Sequence, residues 1–136
     1  MVMTVTTTPS TAPPSLLYNI AHRGARSLAP ENTMTAIEKA WRVGAHGVEV
    51  DVSVTADGKL ILFHDDLLTR TTDVHQRFPK RTDQPVTAFT WKELQRLDAG
   101  SWFLESDPLG EIGEGTVSPS EQSAMRGIQI PLLEDV

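Results

Sequence analysis

Beyond a polar start, the chain alternates short apolar runs with turn signals in the order strand, helix, strand, hairpin. Leu16-Leu17-Tyr18-Asn19-Ile20-Ala21 is an apolar run that ends at His22-Arg23-Gly24 and predicts a strand. Asn32 or Thr33 then caps a helix running through Val43, with Met34, Ile37, Ala40 and Trp41 on one face. Gly44 stops that helix. From Gly47 to Val54 the pattern switches to period two, placing Val48, Val50, Val52 and Val54 on one side. Glu49, Asp51 and Ser53 take the other side. This order implies parallel strands with the helix packed outside them.

Asp57-Gly58 predicts a two-residue hairpin into Lys59–His64. With those two residues as the loop, Ala56 faces Lys59, Val54 faces Ile61 and Asp51 faces His64. Directly opposed residues share a face, with Cβ atoms about 5 Å apart. The expected register therefore sets His64 beside Asp51 and near Glu49.

After Asp66 the chain is polar and irregular as far as Gln84. Thr90, with Glu93 at the capping-box position, predicts a helix over Trp91–Leu97. Gly110 to Gln122 reads as a loop rich in Gly, Ser and Glu. Ile128–Val136 reads as a strand-like entry, a proline at a helix start and about one helical turn. One turn has little cooperative stability, so an element cut short is expected there. Residues 1–15 are rich in Thr and Pro and are expected to be a disordered tail, leaving 16–136 as one domain.

Composition narrows the picture. The 136 residues, 39% hydrophobic and 22% charged, suit one soluble domain with a useful core. The net charge of −6 disfavours nucleic-acid or anionic-membrane surfaces, which reward clustered Lys and Arg. A small phosphorylated substrate needs only a local positive site. Without cysteine there are no disulfides, thiolate nucleophiles or thiolate metal ligands. The tail has neither the basic start nor the apolar stretch of a secretory signal, and no run is long enough to span a bilayer. A cytoplasmic location is expected.

The chemistry-bearing residues fall in two islands, 21–33 and 49–65. Glu49 and Asp51 share one face of a valine-rich strand, and two carboxylates so placed suit a hard divalent cation, Mg²⁺ or Ca²⁺. Arg23 brings a planar guanidinium that grips phosphate through paired hydrogen bonds. Histidine as a residue type can give or take a proton near neutral pH, and His22 and His64 fit as a proton-transfer pair for a phosphodiester. His46 and His75 read as solvated. By physics alone Glu31 and Asn32 are equally a helix N-terminus, Asp65, Asp66, Arg70 and Asp73 are turn and surface charges, and Trp41, Trp91 and Trp102 are packing residues.

The run from Ala21 to Asp73, with its HRG, PENT, ExD and HD motifs in order, closely resembles the N-terminal signature of the glycerophosphodiester phosphodiesterases. Asp98–Phe103 and Ile130–Val136 are similar to later signatures of that family. The resemblance implies a (β/α)₈ TIM-type barrel, of which the N-terminal portion is present, with its site at the C-terminal ends of strands. It implies Mg²⁺- or Ca²⁺-dependent hydrolysis of glycerophosphodiesters to an alcohol and glycerol 3-phosphate. His22 and His64 would be the acid–base pair, Glu49 and Asp51 metal ligands, Arg23 a phosphate contact, and Glu31 and Asn32 supports. The first step would be attack by the substrate's own glycerol hydroxyl, giving a cyclic phosphate.

A full barrel needs about 250 residues. The family's third carboxylate ligand and a lysine come from later strands and have no counterpart here. The chain is therefore expected to be weakly active or inactive alone, and to self-associate through exposed sheet edges. Two alternatives stand beside this reading: a non-catalytic half-barrel used for binding or assembly, and a related lysophospholipase D-type phosphodiesterase.

Overall fold

The computed structural model describes residues 17–136 together with the backbone of residues 2–5. Strand β1 is Val2–Val5, β2 is Ile20–His22, helix α1 is Met34–Arg42, and β3 is Gly47–Val54. Ile20, Ala21 and His22 pair in parallel with Gly47, Val48 and Glu49, so β2, α1 and β3 make one β-α-β unit. Thr33 starts α1 by accepting from the Ala36 amide at 3.2 Å. The helix closes with Gly44 N–H on Trp41 O and Ala45 N–H on Ala40 O, the pattern of a Schellman end.

Ile37 and Ala40 of α1 pack on Val48 and Val50 of β3, with Ala25 and Leu62 completing that core. Burying each of the larger side chains is worth roughly 1.5–3 kcal/mol. The β1 strand pairs antiparallel with β3, Val2 opposite Asp51 and Val5 opposite Val48. The sheet order β1-β3-β2 puts β1 on the edge of β3 away from β2. Residues 2–5, expected in a disordered tail, are thus strand-paired, and the rest of that tail lies outside the described residues.

The hairpin corrects the expected register. Strand β4 is Leu60–Leu62, and it pairs Val52 with Leu62, Ser53 with Ile61 and Val54 with Leu60. The loop is Ala56-Asp57-Gly58, one residue longer than expected, because the turn closes between Thr55 N–H and Lys59 O at 2.9 Å. Gly58 supplies the left-handed residue of this turn at φ +80. Asp57 reinforces it, accepting from the Thr55 hydroxyl at 2.6 Å and from the Trp91 amide at 2.9 Å. One residue of slip reverses the facing, so Phe63, not His64, meets Asp51, through a 3.0 Å bond from its amide to Asp51 O.

Four short helices follow: α2 (Val74–Arg77), α3 (Trp91–Leu94), α4 (Ser101–Ser106) and α5 (Pro119–Ala124). Val74 of α2 and Leu94 of α3 join a second core with Ile61, Leu68, Phe89 and Ile130, while Phe103 of α4 packs in a third with Ala29, Ala36, Val117 and Met125. Thr90 and Glu93 form the expected capping box, but α3 ends at Leu94 instead of Leu97. The stretch expected as a loop over 110–122 contains the start of α5, because Ser118 and Glu121 form a second capping box ahead of Pro119. At the end, Leu132 bridges to Ile61, and Leu133–Asp135 form a 3₁₀ turn where about one helical turn was expected. Among the described residues no helix is long and apolar enough to cross a membrane.

Asp98 ties the α4 start to the C-terminal segment. Its carboxylate accepts from the Gly100, Ser101 and Gly127 amides and from the Ser101 hydroxyl. Burial pushes this carboxyl up, but those hydrogen bonds outweigh it and hold the group below its ordinary value.

Two outcomes follow from these contacts. A methyl at Gly24 would sit 2.7 Å from the Ala36 carbonyl carbon, on a backbone already at φ +77. Gly24→Ala should therefore lower stability by roughly 2–4 kcal/mol, read as a fall in the urea midpoint. The depressed Asp98 carboxyl stabilises the fold fully above about pH 4 and loses that contribution as pH drops through its folded value. The acid-induced fall in Tm below that point should be shallower in Asp98→Asn than in the parent chain.

Candidate active site

At the C-terminal end of β2 the chain leaves the sheet through His22, Arg23 and Gly24. Arg23 adopts φ 58, a left-handed conformation that costs an L-residue roughly 1–2 kcal/mol. It is held there from both sides: its amide donates to Glu49 Oε2 at 3.2 Å, and its carbonyl accepts from the Asn32 amide at 3.0 Å. Asn32 is itself left-handed, at φ 54, and buried. Two strained residues facing each other mark this as a place where the fold gives up stability for geometry.

The side chains converge on β3. Arg23 Nη1 donates to Glu31 Oε1 at 3.0 Å. Asn32 brackets Asp51, giving its Nδ2 to Asp51 Oδ2 at 3.1 Å and accepting the Asp51 amide on Oδ1 at 3.0 Å. Arg23 Nε also lies 3.0 Å from Asp51 Oδ2, yet its N–H is misdirected and the buried donor makes no hydrogen bond. Charge attraction survives that misalignment, whereas a hydrogen bond does not. The half-exposed His22 places Nε2 3.6 Å from Glu49 Oε2. Of the residues singled out from sequence, His22, Arg23, Glu31, Asn32, Glu49 and Asp51 are thus brought together directly.

His64 reaches the same site by a different route. It follows β4, and it lines one narrow crevice with Glu31, Asn32 and Phe63. Its Nδ1 lies 2.5 Å from Asp65 Oδ1. Asp65 is gripped in turn by Arg70, through Nε to Oδ2 at 2.6 Å and Nη2 to Oδ1 at 3.0 Å. The same guanidinium donates to Glu31, Nη2 to Oε1 at 2.6 Å and Nη1 to Oε2 at 3.1 Å. The Arg70 hydrogen bond is the main reason the Asp65 carboxyl is held down at about 2. Burial raises Glu31, but Arg70 and Arg23 together bring it below the ordinary carboxylate range.

Asp65 and Arg70, expected to be turn and surface charges, do lie at the surface, and they also join His64 to Glu31. The local sequence could not reveal this, since the Glu31 partner lies 39 residues before Arg70. His46 and His75 are exposed, as expected, and His46 Nδ1 accepts from the Asn19 amide.

The carboxylates partly suit a hard cation. Glu49 and Asp51 lie on one face of β3 and offer oxygen donors. Asp51, however, is already engaged by Asn32 and Arg23, and among the described residues no three His, Asp or Glu side chains gather around a common point. Mg²⁺ and Ca²⁺ take six or more oxygens. The donors are right in kind and too few in number.

The profile of the "Glycerophosphoryl diester phosphodiesterase family" matches residues 22–136. A mouse glycerophosphoinositol inositolphosphodiesterase is 44% identical over 117 residues, which are 86% of this chain and 21% of that protein. Human glycerophosphodiester phosphodiesterase domain-containing protein 5 is 41% identical over 102 residues, 75% of this chain and 16% of its own length. A glycerophosphodiester phosphodiesterase from Agrobacterium tumefaciens superposes with a TM-score of 0.64 at 33% identity, covering 88% of this chain and 41% of the other. An Oleispira antarctica phosphodiesterase, solved with the product sn-glycerol-3-phosphate, gives a TM-score of 0.63 at 34% identity over 87% and 37% of the two chains. These structures are (β/α)₈ TIM barrels, so the parallel β2-α1-β3 unit is part of such a barrel. The chain spans about a fifth of the curated relatives and about two fifths of the solved ones. It belongs to the glycerophosphoryl diester phosphodiesterase family.

Proposed function

We propose that this chain carries the phosphate-gripping and proton-transfer part of a site that hydrolyses glycerophosphodiesters to an alcohol and glycerol 3-phosphate. The observation that carries this reading is Arg23: a strained backbone, a guanidinium fixed between Glu31 and Asp51, and one buried N–H with no acceptor. A planar guanidinium fixed in this way can pair with a phosphate oxygen through the N–H groups that its carboxylate partners leave over. The glycerol 3-phosphate bound by the Oleispira relative supports the substrate class.

On this reading His22 and His64 divide the proton transfers. One takes the proton from the attacking hydroxyl as its oxygen bonds to phosphorus. The other protonates the alcohol oxygen as the bond from phosphorus to that oxygen breaks. Both rings are partly exposed, as groups that exchange protons with substrate and solvent must be. The attacking hydroxyl in the first step is the substrate's own glycerol hydroxyl, and water opens the cyclic phosphate afterwards.

Glu49 and Asp51 would contribute to the shell of a Mg²⁺ or Ca²⁺ ion, which when bound would stabilise charge on the phosphoryl oxygens. The described residues do not complete that shell, so neither proton transfer above is routed through it. Glu31 and Asn32 support the site by holding Arg23 and Asp51 in place.

Two measurements test the reading. Titrating the chain with glycerol 3-phosphate should shift the NMR signals of Arg23 and the His22 and His64 rings, and Arg23→Gln should weaken binding by roughly tenfold or more, the scale of a charge-assisted hydrogen bond. Shifts scattered over the surface and unaffected by Arg23→Gln would overturn it. Incubated with glycerophosphocholine and Mg²⁺ or Ca²⁺, the chain should release little or no glycerol 3-phosphate. Robust metal-dependent release would show that two carboxylates suffice.

A further inference from the structure

His64 stands where the sheet no longer controls it. Strand β4 ends at Leu62, and the corrected register pairs Phe63 with Asp51. The imidazole is about two-fifths exposed, and among the described residues Asp65 is its one polar partner. An adjacent carboxylate on a loop is a poor anchor unless something else holds it. Arg70 does so by a two-point grip, with Nε and Nη2 on the two oxygens of Asp65. Arg70 is itself fixed by both oxygens of Glu31, and its guanidinium carbon lies 5.7 Å from the centre of the Trp102 ring.

We infer that Arg70 is a positioning residue for His64: by clamping Asp65 it sets which ring nitrogen carries the proton and fixes His64 relative to the Glu31–Arg23 phosphate grip. The inference deepens the proposed function, on which its catalytic meaning rests. The chemistry follows from the donor inventory. An ionised carboxylate only accepts hydrogen bonds, so the His64 nitrogen facing Asp65 must be the protonated one. Nδ1 then holds the proton and Nε2 is left as the nitrogen that faces a substrate. Asp65 stays ionised because two guanidinium N–H groups point at it.

A solvent-exposed ion pair of one lysine and one carboxylate contributes little. The Arg70 arrangement differs in geometry, since a planar fork bridges two carboxylates from distant segments at once. Lysine offers one charged point and cannot reproduce both grips. The run His64–Asp65–Arg70–Glu31–Arg23–Asp51 is a continuous chain of charged contacts from one proposed proton-transfer ring to the carboxylate face of β3.

The test reads the tautomer directly and needs no turnover. Long-range ¹H–¹⁵N correlation of the 136-residue chain, at a pH where His64 is neutral, should show the Nδ1-protonated form dominant. Arg70→Gln and Asp65→Asn should each reduce the ratio of Nδ1–H to Nε2–H by roughly tenfold, the scale of a charge-assisted hydrogen bond. Arg70→Lys keeps the charge and should still lose most of the bias. An unchanged ratio in Arg70→Gln, or in Arg70→Lys where the glutamine variant does not fold, would overturn the inference. A tautomer shift without binding of glycerol 3-phosphate to the parent chain would sink the proposed function and leave the Arg70 clamp standing.

Discussion

The close approach of α1 to the loop after β2 is the contact from which the site follows. The Ala25 amide donates to the Ala36 carbonyl at 2.9 Å, and only a residue without Cβ leaves room at Gly24 for that approach. With the helix so near, the segment before its cap lies over the loop, and the Asn32 amide reaches the Arg23 carbonyl. Arg23 and Asn32 are both held left-handed as a result, aimed at the carboxylates that β3 presents at the same level. A hydrophobic packing requirement on one side of the β-α-β unit thus sets polar geometry on the other.

Electrostatics complete the arrangement. Arg23 and Arg70 alternate with Glu31, Asp51 and Asp65, so each guanidinium is shared between carboxylates from different segments. Partly buried charges are costly unless each finds partners, and among the described residues the shared pairing leaves one buried side-chain donor without a hydrogen bond. The exception is Arg23 Nε, near Asp51 but misaligned. The two guanidinium groups offset part of the negative charge gathered here, because the field at a site depends on neighbours and not on net charge.

Legibility differed by element in a consistent way. The Thr33 cap, the Thr90–Glu93 box and the valine alternation of β3 were readable because each depends on residues within four positions. The helix at Pro119 carried the same kind of local signal, outweighed in the reading by the surrounding Gly and Ser. The hairpin failed by one residue. Asp-Gly fits both a two-residue turn and a three-residue turn with its left-handed glycine last, and the Trp91 amide on Asp57 lies in a distant helix. His64 still lines the crevice with Glu31 and Asn32, but through its Asp65 and Arg70 partners and not through pairing with Asp51.

Sequence alone determined the β-α-β order, the valine face that drives it inward, and the identity of the two histidines, Arg23 and the paired carboxylates, since these follow from period, capping and side-chain chemistry. Resemblance in the HRG, PENT, ExD and HD motifs also pointed to the family. Tertiary structure alone decided which charges meet. The joining of Arg70 to Glu31 and Asp65, the misdirected Arg23 N–H and the sharing of Asp51 between Asn32 and Arg23 depend on distances between segments remote in the chain. No local pattern encodes such distances, because they are set by how closely a helix packs against a loop.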